Sequence, residues 1–202
     1  MSTPDRSWAT AAVLTLPGLA LAVAGLFHPD YLAYPTAERW MWVHVAGLFV
    51  FPLVGLALAR VVRGRQDVVA WVVRLGGYLF ATAYTALDVI SGLAAGYVTV
   101  ELGPGQLRPQ AVSEMFEIGS RLGDLGSWGL IAAAVALVAD RTRRLDVSGL
   151  AGAAVLTAGA VLVRIDHIFV SLGVVGMLLV GLGTGAVALR TVPSGRDAQN
   201  SR

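Results

Sequence analysis

Three histidines and one aspartate interrupt segments of this chain that are otherwise apolar. His28 follows the first apolar segment, His44 lies about one turn inside the second, Asp88 lies well inside the third, and His167 stands at the start of the sixth. Ionisable groups at membrane depth are costly, so each is a candidate functional group. Three imidazoles and a carboxylate on different helices are a ligand set for zinc or another transition metal. The chain has no cysteine, so any metal ligands are nitrogen and oxygen atoms.

The same residues predict haem as the alternative cofactor. Two histidines on facing helices would be the axial ligands of the iron, and Arg121 or Arg164 would pair with the propionates. In a metal site, Tyr84, Glu117 or Asp166 would accept the second N–H of a ligating imidazole. The chain has neither a His-x-x-x-His nor a His-Glu-x-x-His pattern. Both predictions therefore rest on where the histidines lie along the apolar segments.

As a metal enzyme, the protein would activate water for attack on a lipid-like substrate. Asp88 or Glu117 would be the base, and Arg121 or Arg164 would hold an anionic head group. As a haem protein, it would transfer electrons between a quinone-like substrate and an outer partner. Glu117, Arg121 and Asp124 recur at helical spacing, which predicts that these candidate catalytic residues share one face of one helix.

The second hypothesis requires no metal. A carboxylic acid at Asp88 would protonate an alkene or an epoxide of a prenyl or terpenoid substrate. The aromatic side chains of Tyr84, Phe116 and Trp128 would stabilise the resulting carbocation through their ring faces. This hypothesis predicts a membrane enzyme of the cyclase type.

Two non-catalytic alternatives remain. In a carrier, Asp88 and the histidines would form a proton or cation relay. The inner halves of the spans carry almost no polar residues, which speaks against a conduction path. In an accessory subunit, Asp88 would form a structural ion pair with Arg121 or Arg164, and the histidines would tolerate replacement by alanine.

The composition excludes a soluble protein. The chain has 202 residues, of which 56% are hydrophobic and 14% charged, and its mean hydropathy is +0.70. Soluble domains are about 25% charged, and disordered chains are less apolar than this one. No block of arginines with interleaved aromatic residues indicates nucleic-acid binding. The predicted partners are therefore the lipid bilayer and a lipophilic small molecule.

Six apolar segments approach the length of about 20 residues that a spanning helix needs. They predict an all-α integral membrane protein, with one domain over residues 1–192 and a disordered cytoplasmic tail at 193–202. The predicted spans of this six-helix bundle are 8–27, 40–58, 71–98, 122–139, 150–163 and 168–189. An outer amphipathic helix that begins near Ser113 is predicted to run continuously into the fourth span.

The arginines predict the orientation of the chain. If the N-terminus is cytoplasmic, the arginine-containing stretches at 60–74, 141–144 and 190–202 all lie on the cytoplasmic side. Cytoplasmic loops carry the excess of basic residues, so both termini are predicted to be cytoplasmic in the plasma membrane. The histidines and Asp88 then lie in the outer half of the bilayer. Trp40, Trp42 and Trp71 are predicted to anchor span ends at the interface, whereas Trp128 lies inside a span and is not explained in this way.

Overall fold

The computed structural model describes residues 3–168 and 172–189, and these residues form helices and short connections without any β-strand. The helices are α1 (Thr3–Leu26), α2 (Ala37–Val61), α3 (Val68–Leu87), α4 (Ala95–Leu102), α5 (Gln110–Arg143), α6 (Val147–Asp166) and α7 (Leu172–Leu189). A single 3-10 turn, Tyr34–Thr36, precedes α2. A π-helix, Asp88–Ala94, joins α3 to α4 and is called the π segment below.

Six of the resulting helical stretches are long and apolar enough to cross a membrane. The predicted all-helical class and the multi-pass membrane character are therefore confirmed. The π segment makes α3, the π segment and α4 one stretch, Val68–Leu102. The helix predicted to begin near Ser113 is the first part of α5, which runs unbroken through the fourth span.

The ends of the helices follow local sequence signals. The side chains of Asp67 and Asp146 cap α3 and α6, and each accepts a hydrogen bond from a backbone N–H three residues later. Gly103, with φ of 81°, ends α4 in a conformation that favours glycine. Pro109 immediately precedes α5, and its carbonyl oxygen accepts hydrogen bonds from the N–H groups of Val112 and Ser113 in the first turn.

Small residues let the spans pack closely. Helix α1 packs along α7, α7 along α6, and α3 along α5. At the crossing of α1 and α7, a Cβ on Gly18 would overlap the backbone of Gly181. At the crossing of α3 and α5, Gly76 and Gly129 approach each other in the same way. Such approaches are typical of helix association in lipid, where van der Waals packing replaces the hydrophobic effect.

The span boundaries differ from the prediction in three respects. The third span, predicted as one regular helix over 71–98, contains the π segment. The fifth span is longer than 150–163, because Arg164 and Asp166 are still helical and the turn begins only at His167, whose φ is 47°. Helix α7 begins at Leu172. Residues 169–171 of the predicted sixth span and the predicted tail at 193–202 lie outside the described residues.

The charged residues gather at the two opposite ends of the spans. One end, called the arginine end, holds a network around the carboxylate of Asp140. Arg65 donates two hydrogen bonds of 2.8 Å to this carboxylate, and Arg144 donates one of 3.0 Å. Arg141 pairs with Asp146 at 3.1 Å beside it. The opposite end, called the histidine end, holds the C-terminus of α1, the N-terminus of α2 and the turn at His167.

Candidate functional site

A cavity at the histidine end brings together the residues that the sequence singled out. It lies between α1, α2, the end of α3, the π segment, α5 and the turn after α6, and its volume is about 140 Å³. Its lining includes His28, His44, Tyr84, Asp88 and His167. Most of the remaining lining is apolar or aromatic. The three histidines and Asp88 therefore share one cavity, although their separation along the chain does not reveal this.

His28 and His44 are held side by side. Their ring centroids are 5.0 Å apart, with the rings inclined at 70°. The Nδ1 of His28 lies 2.7 Å from the carbonyl oxygen of Pro29, and the Nδ1 of His44 lies 2.7 Å from that of Trp40. Because a carbonyl oxygen only accepts, each Nδ1 must donate a proton. A neutral imidazole held in this way carries its lone pair on Nε2.

Asp88 differs from the other polar residues of the cavity. Its exposed fraction is 4%, and it forms no hydrogen bond or ion pair within the part of the chain that the structure describes. The carboxylate fits only because Gly47 on α2 has no side chain, since a Cβ there would overlap Oδ2. Four residues after Asp88, Gly92 likewise makes room for the ring of His44. Two glycines thus let α2 and the π segment approach each other at the site.

Trp40 connects α2 to the π segment. Its indole Nε1 donates a hydrogen bond of 3.0 Å to the carbonyl of Ser91. The hydroxyl of Ser91 in turn donates to the carbonyl of Met115 on α5 at 2.9 Å. The exposed fraction of Trp40 is only 3%, so its prediction as an interfacial anchor is wrong, whereas Trp42 and Trp71 are exposed. Trp40 is a wall of the cavity and supports the helix that carries Asp88.

Tyr84 and His167 form the side of the cavity next to α5. The hydroxyl of Tyr84 lies 2.9 Å from Oγ of Ser127 and 3.3 Å from Nδ1 of His167. Burial lowers the pKa of His167, and the carboxylate of Asp124 opposes this shift. Burial likewise lowers the pKa of His28, opposed by its hydrogen bond to the backbone of Pro29. Both imidazoles lie in the connections between spans.

The predicted charged residues of α5 lie outside the cavity. Glu117 and Arg121 are exposed and are not part of its lining. Asp124 pairs with Arg164 at 3.2 Å. The guanidinium of Arg164 also lies 5.7 Å from the ring centroid of Trp128, which gives this tryptophan a partner inside its span. Neither arginine forms an ion pair with Asp88.

The geometry bears differently on the two predicted cofactors. Within residues 3–168 and 172–189, no group of three or more His, Cys, Asp or Glu side chains is arranged to hold a metal ion. The predicted metal set of three histidines and Asp88 thus lines one cavity without meeting at one point. A volume of about 140 Å³ is similar to that of a cavity that admits benzene, and a porphyrin is much larger. Metal ligation therefore stays a prediction. The cavity is too small to hold a haem group.

Several residues of the site were not found from the sequence. Gly47 lies three residues after His44, and Gly92 lies four residues after Asp88. This spacing on a helix was a usable signal, because it puts a glycine beside each polar residue on the same face. Trp40 and Ser91 gave no such signal, since their bond joins residues far apart in the chain.

Comparison with known proteins found no matching family model, no similar curated protein and no matching solved structure.

Proposed function

We propose that this protein is a metal-independent, membrane-embedded acid–base enzyme that isomerises or cyclises an unsaturated lipophile of the prenyl or terpenoid type. One observation carries the proposal: Asp88 is a buried carboxyl that has no hydrogen-bond partner among the described residues, and it lines a largely apolar cavity together with the imidazole of His44. Unpartnered buried carboxyl groups are rare, because burial of such a group costs free energy. Such groups are typical of functional sites.

The chemistry needs one acid and one base. Asp88 donates its proton to an alkene carbon or to an epoxide oxygen of the substrate. The cation that forms moves along the substrate as π electrons close a ring or shift a double bond. Nε2 of His44 then removes a proton from carbon, and its electron pair becomes the new double bond. The substrate gains one proton and loses one, and the proton on His44 returns to Asp88 by way of water between turnovers, so no oxidant or other co-reactant is consumed.

The walls of the cavity suit a cationic intermediate. Trp40, Phe51, Tyr84 and Phe116 line it. Aromatic ring faces attract cations, and the attraction grows when the cation is desolvated. No arginine of the described chain lines the cavity, so no fixed positive charge opposes a carbocation there.

Metal catalysis is the second candidate, because the histidines carry one feature of metal ligands. Ligating imidazoles usually donate their other N–H to a carbonyl or carboxylate, as Nδ1 of His28 and of His44 do. In this reading two imidazoles and Asp88 would have to move toward one point to hold a zinc ion, which would supply an activated water for attack on a lipid-like substrate. Metal analysis of the purified protein separates this candidate from the first.

We also infer that both termini are cytoplasmic and that the cavity lies in the outer half of the plasma membrane. The inference is supported by the charged network around Asp140 at the arginine end, which contains Arg65, Arg141 and Arg144. Cytoplasmic ends of spans are rich in such residues. The histidine end, where the cavity lies, carries fewer of them.

The test is turnover of uncharged prenyl alcohols and their terminal epoxides by the purified protein in deuterated water. We expect products isomeric with the substrates. Those formed by protonation of an alkene carbon carry one deuterium on carbon, whereas a deuteron added to an epoxide oxygen exchanges with the solvent. Asp88→Asn should lower turnover by about a hundredfold or more, which is a typical contribution of a general acid. Glu114→Gln, the same change at an exposed position of α5, should leave turnover unchanged.

Two further measurements decide between the candidates. Thermal unfolding shows whether Asp88→Asn is folded, and chelator treatment shows whether a metal is needed. Full activity after chelation supports the proposal, and loss of activity that zinc restores supports the metal enzyme instead. Wild-type turnover in folded Asp88→Asn would overturn the proposal.

A further inference from the structure

A second apolar space lies between α1 and α2, nearer the arginine end. Its volume is about 440 Å³, and it is open along one side. The lining comes from residues between Val13 and Ala20 on α1 and between Val50 and Arg60 on α2. Arg60 is its only charged residue among those described. This space is called the α1–α2 groove below.

The groove and the cavity follow the same two helix faces. On α1, Pro17 and Ala20 line the groove, and Leu21 and Ala24 line the cavity. These positions are three or four residues apart, so they lie on one face of the helix. The groove and the cavity therefore lie end to end along the same face of α1, although no residue lines both.

Helix α2 also lines both spaces, with the cavity nearer its N-terminus and the groove nearer its C-terminus. Gly47 and Phe51 line the cavity, whereas Val50 and Ala57 line the groove. From His44 to Arg60 the helix rises about 24 Å at 1.5 Å per residue. Taken end to end, the two spaces thus follow α2 over most of the hydrocarbon thickness of about 30 Å.

We propose that the cavity and the α1–α2 groove together bind one uncharged lipid with a single long alkyl or isoprenoid chain. The inference rests on the proposed function and specifies the substrate class. The polar or unsaturated end lies beside Asp88 and His44, and the chain follows the groove toward Arg60. Together the two volumes fall within the range of about 300–1,000 Å³ that is typical of ligand pockets.

The charges around the cavity favour a lipid with an uncharged head group. No arginine of the described residues lines the cavity, and none of them forms an ion pair with Asp88. A carboxylate or phosphate head would enter a largely apolar space next to a carboxyl group, without any cation to compensate it. Arg121 and Arg164, which the sequence predicts to hold an anionic head group, lie outside the cavity. Arg121 is exposed, and Arg164 pairs with Asp124.

The groove gives the chain a lateral route from the bilayer. Val13, Leu16 and Leu53 on its rims have exposed fractions of 60%, 55% and 46%. Its floor includes buried Pro17 and Ala57. A lipid in the membrane therefore meets apolar rims on both helices, and it reaches the cavity without passing through water.

Photoreactive fatty alcohols test this inference. Octanol and hexadecanol, each carrying a diazirine at the end of the chain, are added to the full-length protein in lipid nanodiscs. The cross-linked residues are then identified by mass spectrometry. We expect octanol to label the cavity near Phe51 and hexadecanol to label the groove near Ala57. The anionic hexadecanoate analogue should label the groove at least about tenfold less.

Two matched variants locate the chain. Ala20→Trp adds an indole inside the groove, whereas Ala12→Trp adds it at an exposed position of α1 outside the groove. Ala20→Trp should reduce hexadecanol labelling about tenfold and leave octanol labelling unchanged. Ala12→Trp should change neither. Equal labelling by hexadecanol in both variants would overturn the inference, as would stronger labelling of the groove by a phosphatidylcholine probe.

The two proposals fail in different ways. If Asp88→Asn abolishes turnover but hexadecanol labels residues outside the groove, the acid–base function stands and the chain site is wrong. If hexadecanol labels the groove but Asp88→Asn retains turnover, the chain site stands and the acid–base function is wrong.

Discussion

Asp88 and Asp140 are both buried within membrane spans, but their surroundings differ. Their exposed fractions are 4% and 5%. Asp140 accepts hydrogen bonds from Arg65 and Arg144, whereas Asp88 accepts none from the described residues. Buried carboxylates are normally paired, so Asp140 has a structural explanation. Asp88 lacks one, which is why the proposed chemistry is assigned to it.

The pairing of Asp140 predicts a stability effect for Arg65→Met. The substitution removes the two hydrogen bonds of 2.8 Å to the buried carboxylate of Asp140 and also the two to exposed Asp67, and it leaves Asp140 with fewer partners. We expect the free energy of unfolding to fall by about 2–3 kcal/mol. Arg65→Lys should recover only part of the lost free energy, because an ammonium group does not make the paired hydrogen bonds of a guanidinium group.

Reversible unfolding in mixed detergent micelles measures this difference. Arg63→Met is the matched control, because Arg63 is an exposed arginine of the same connection. It should change the unfolding free energy little. Equal values for Arg63→Met and Arg65→Met would show that the Arg65–Asp140 pair does not stabilise the fold.

At the scale of elements, the π segment decides which residues reach the cavity. A π-helix inside an α-helix accommodates about one additional residue, and it is frequent at functional sites. Here it begins at Asp88, and both Asp88 and Ser91 line the cavity. The indole Nε1 of Trp40 supports the π segment by donating a hydrogen bond to the carbonyl oxygen of Ser91. The segment is therefore the element that joins the acid to the wall of the cavity.

Deletion of Val89 tests this role. Val89 is 46% exposed within the π segment, so its loss removes little packing. We expect the deletion to restore an α-helix and to keep the register of α3 and α4. The protein should fold with an unfolding temperature near that of the wild type but lose turnover, because Asp88 and Ser91 no longer both line the cavity.

A deletion in a regular helix provides the contrast. Val135 is 50% exposed in α5, where no additional residue is present. Its loss rotates everything that follows by about 100° relative to the preceding part, so the buried face is misplaced. This variant should unfold at a clearly lower temperature. If both deletions lower the unfolding temperature equally, the π segment is not a tolerated insertion.

The third span also shows how far the sequence predicts the site. That Tyr84 and Asp88 lie near one another on the same face follows from helical spacing alone, and both line the cavity. The π segment does not follow from it, because it depends on contacts to Trp40 and Met115, which lie 51 and 24 residues from Ser91. Its sequence carries no local signal for that change.

The predicted charged face of α5 illustrates a second limit. Helical spacing shows that Glu117, Arg121 and Asp124 lie near one another, but it does not show which face of α5 is turned inward. In the fold, Phe116, Gly119 and Ser120 line the cavity instead. The position of a residue along a helix is therefore predictable from the sequence, whereas rotation of the helix depends on packing against its neighbours.

At the scale of the whole molecule, the connecting histidines predict a pH dependence of stability. Burial lowers the pKa values of His28 and His167 from the ordinary value of 6.5. The unfolded chain then binds protons more readily than the folded chain does. The contribution of these residues is therefore present above about pH 6.5 and is lost as the pH falls through their folded-state pKa values.

We expect the unfolding temperature to fall between about pH 7.5 and about pH 5, and the double variant His28→Gln, His167→Gln to reduce this fall. The acidic residues at the arginine end titrate in a different range. The hydrogen bond from Arg65 lowers the pKa of Asp67 to about 2, so its contribution is lost only at lower pH. An equally steep decrease in the double variant would contradict the prediction.

The orientation of the whole molecule determines from which side of the membrane a substrate reaches the site. Because the chain has no cysteine, single introduced cysteines can measure this orientation. Leu107 is 91% exposed in the connection between α4 and α5, at the histidine end. Gln66 is exposed in the connection between α2 and α3, at the arginine end. Each position can carry the only cysteine of the chain.

With both termini in the cytoplasm, a membrane-impermeant maleimide should label Leu107→Cys in intact cells. Gln66→Cys should be labelled only after the membrane is opened, and labelling of both in opened cells is the control for reactivity. The reverse pattern would turn the cavity toward the cytoplasm. The α1–α2 groove would then start at the outer leaflet, so lipid chains would enter from the opposite side.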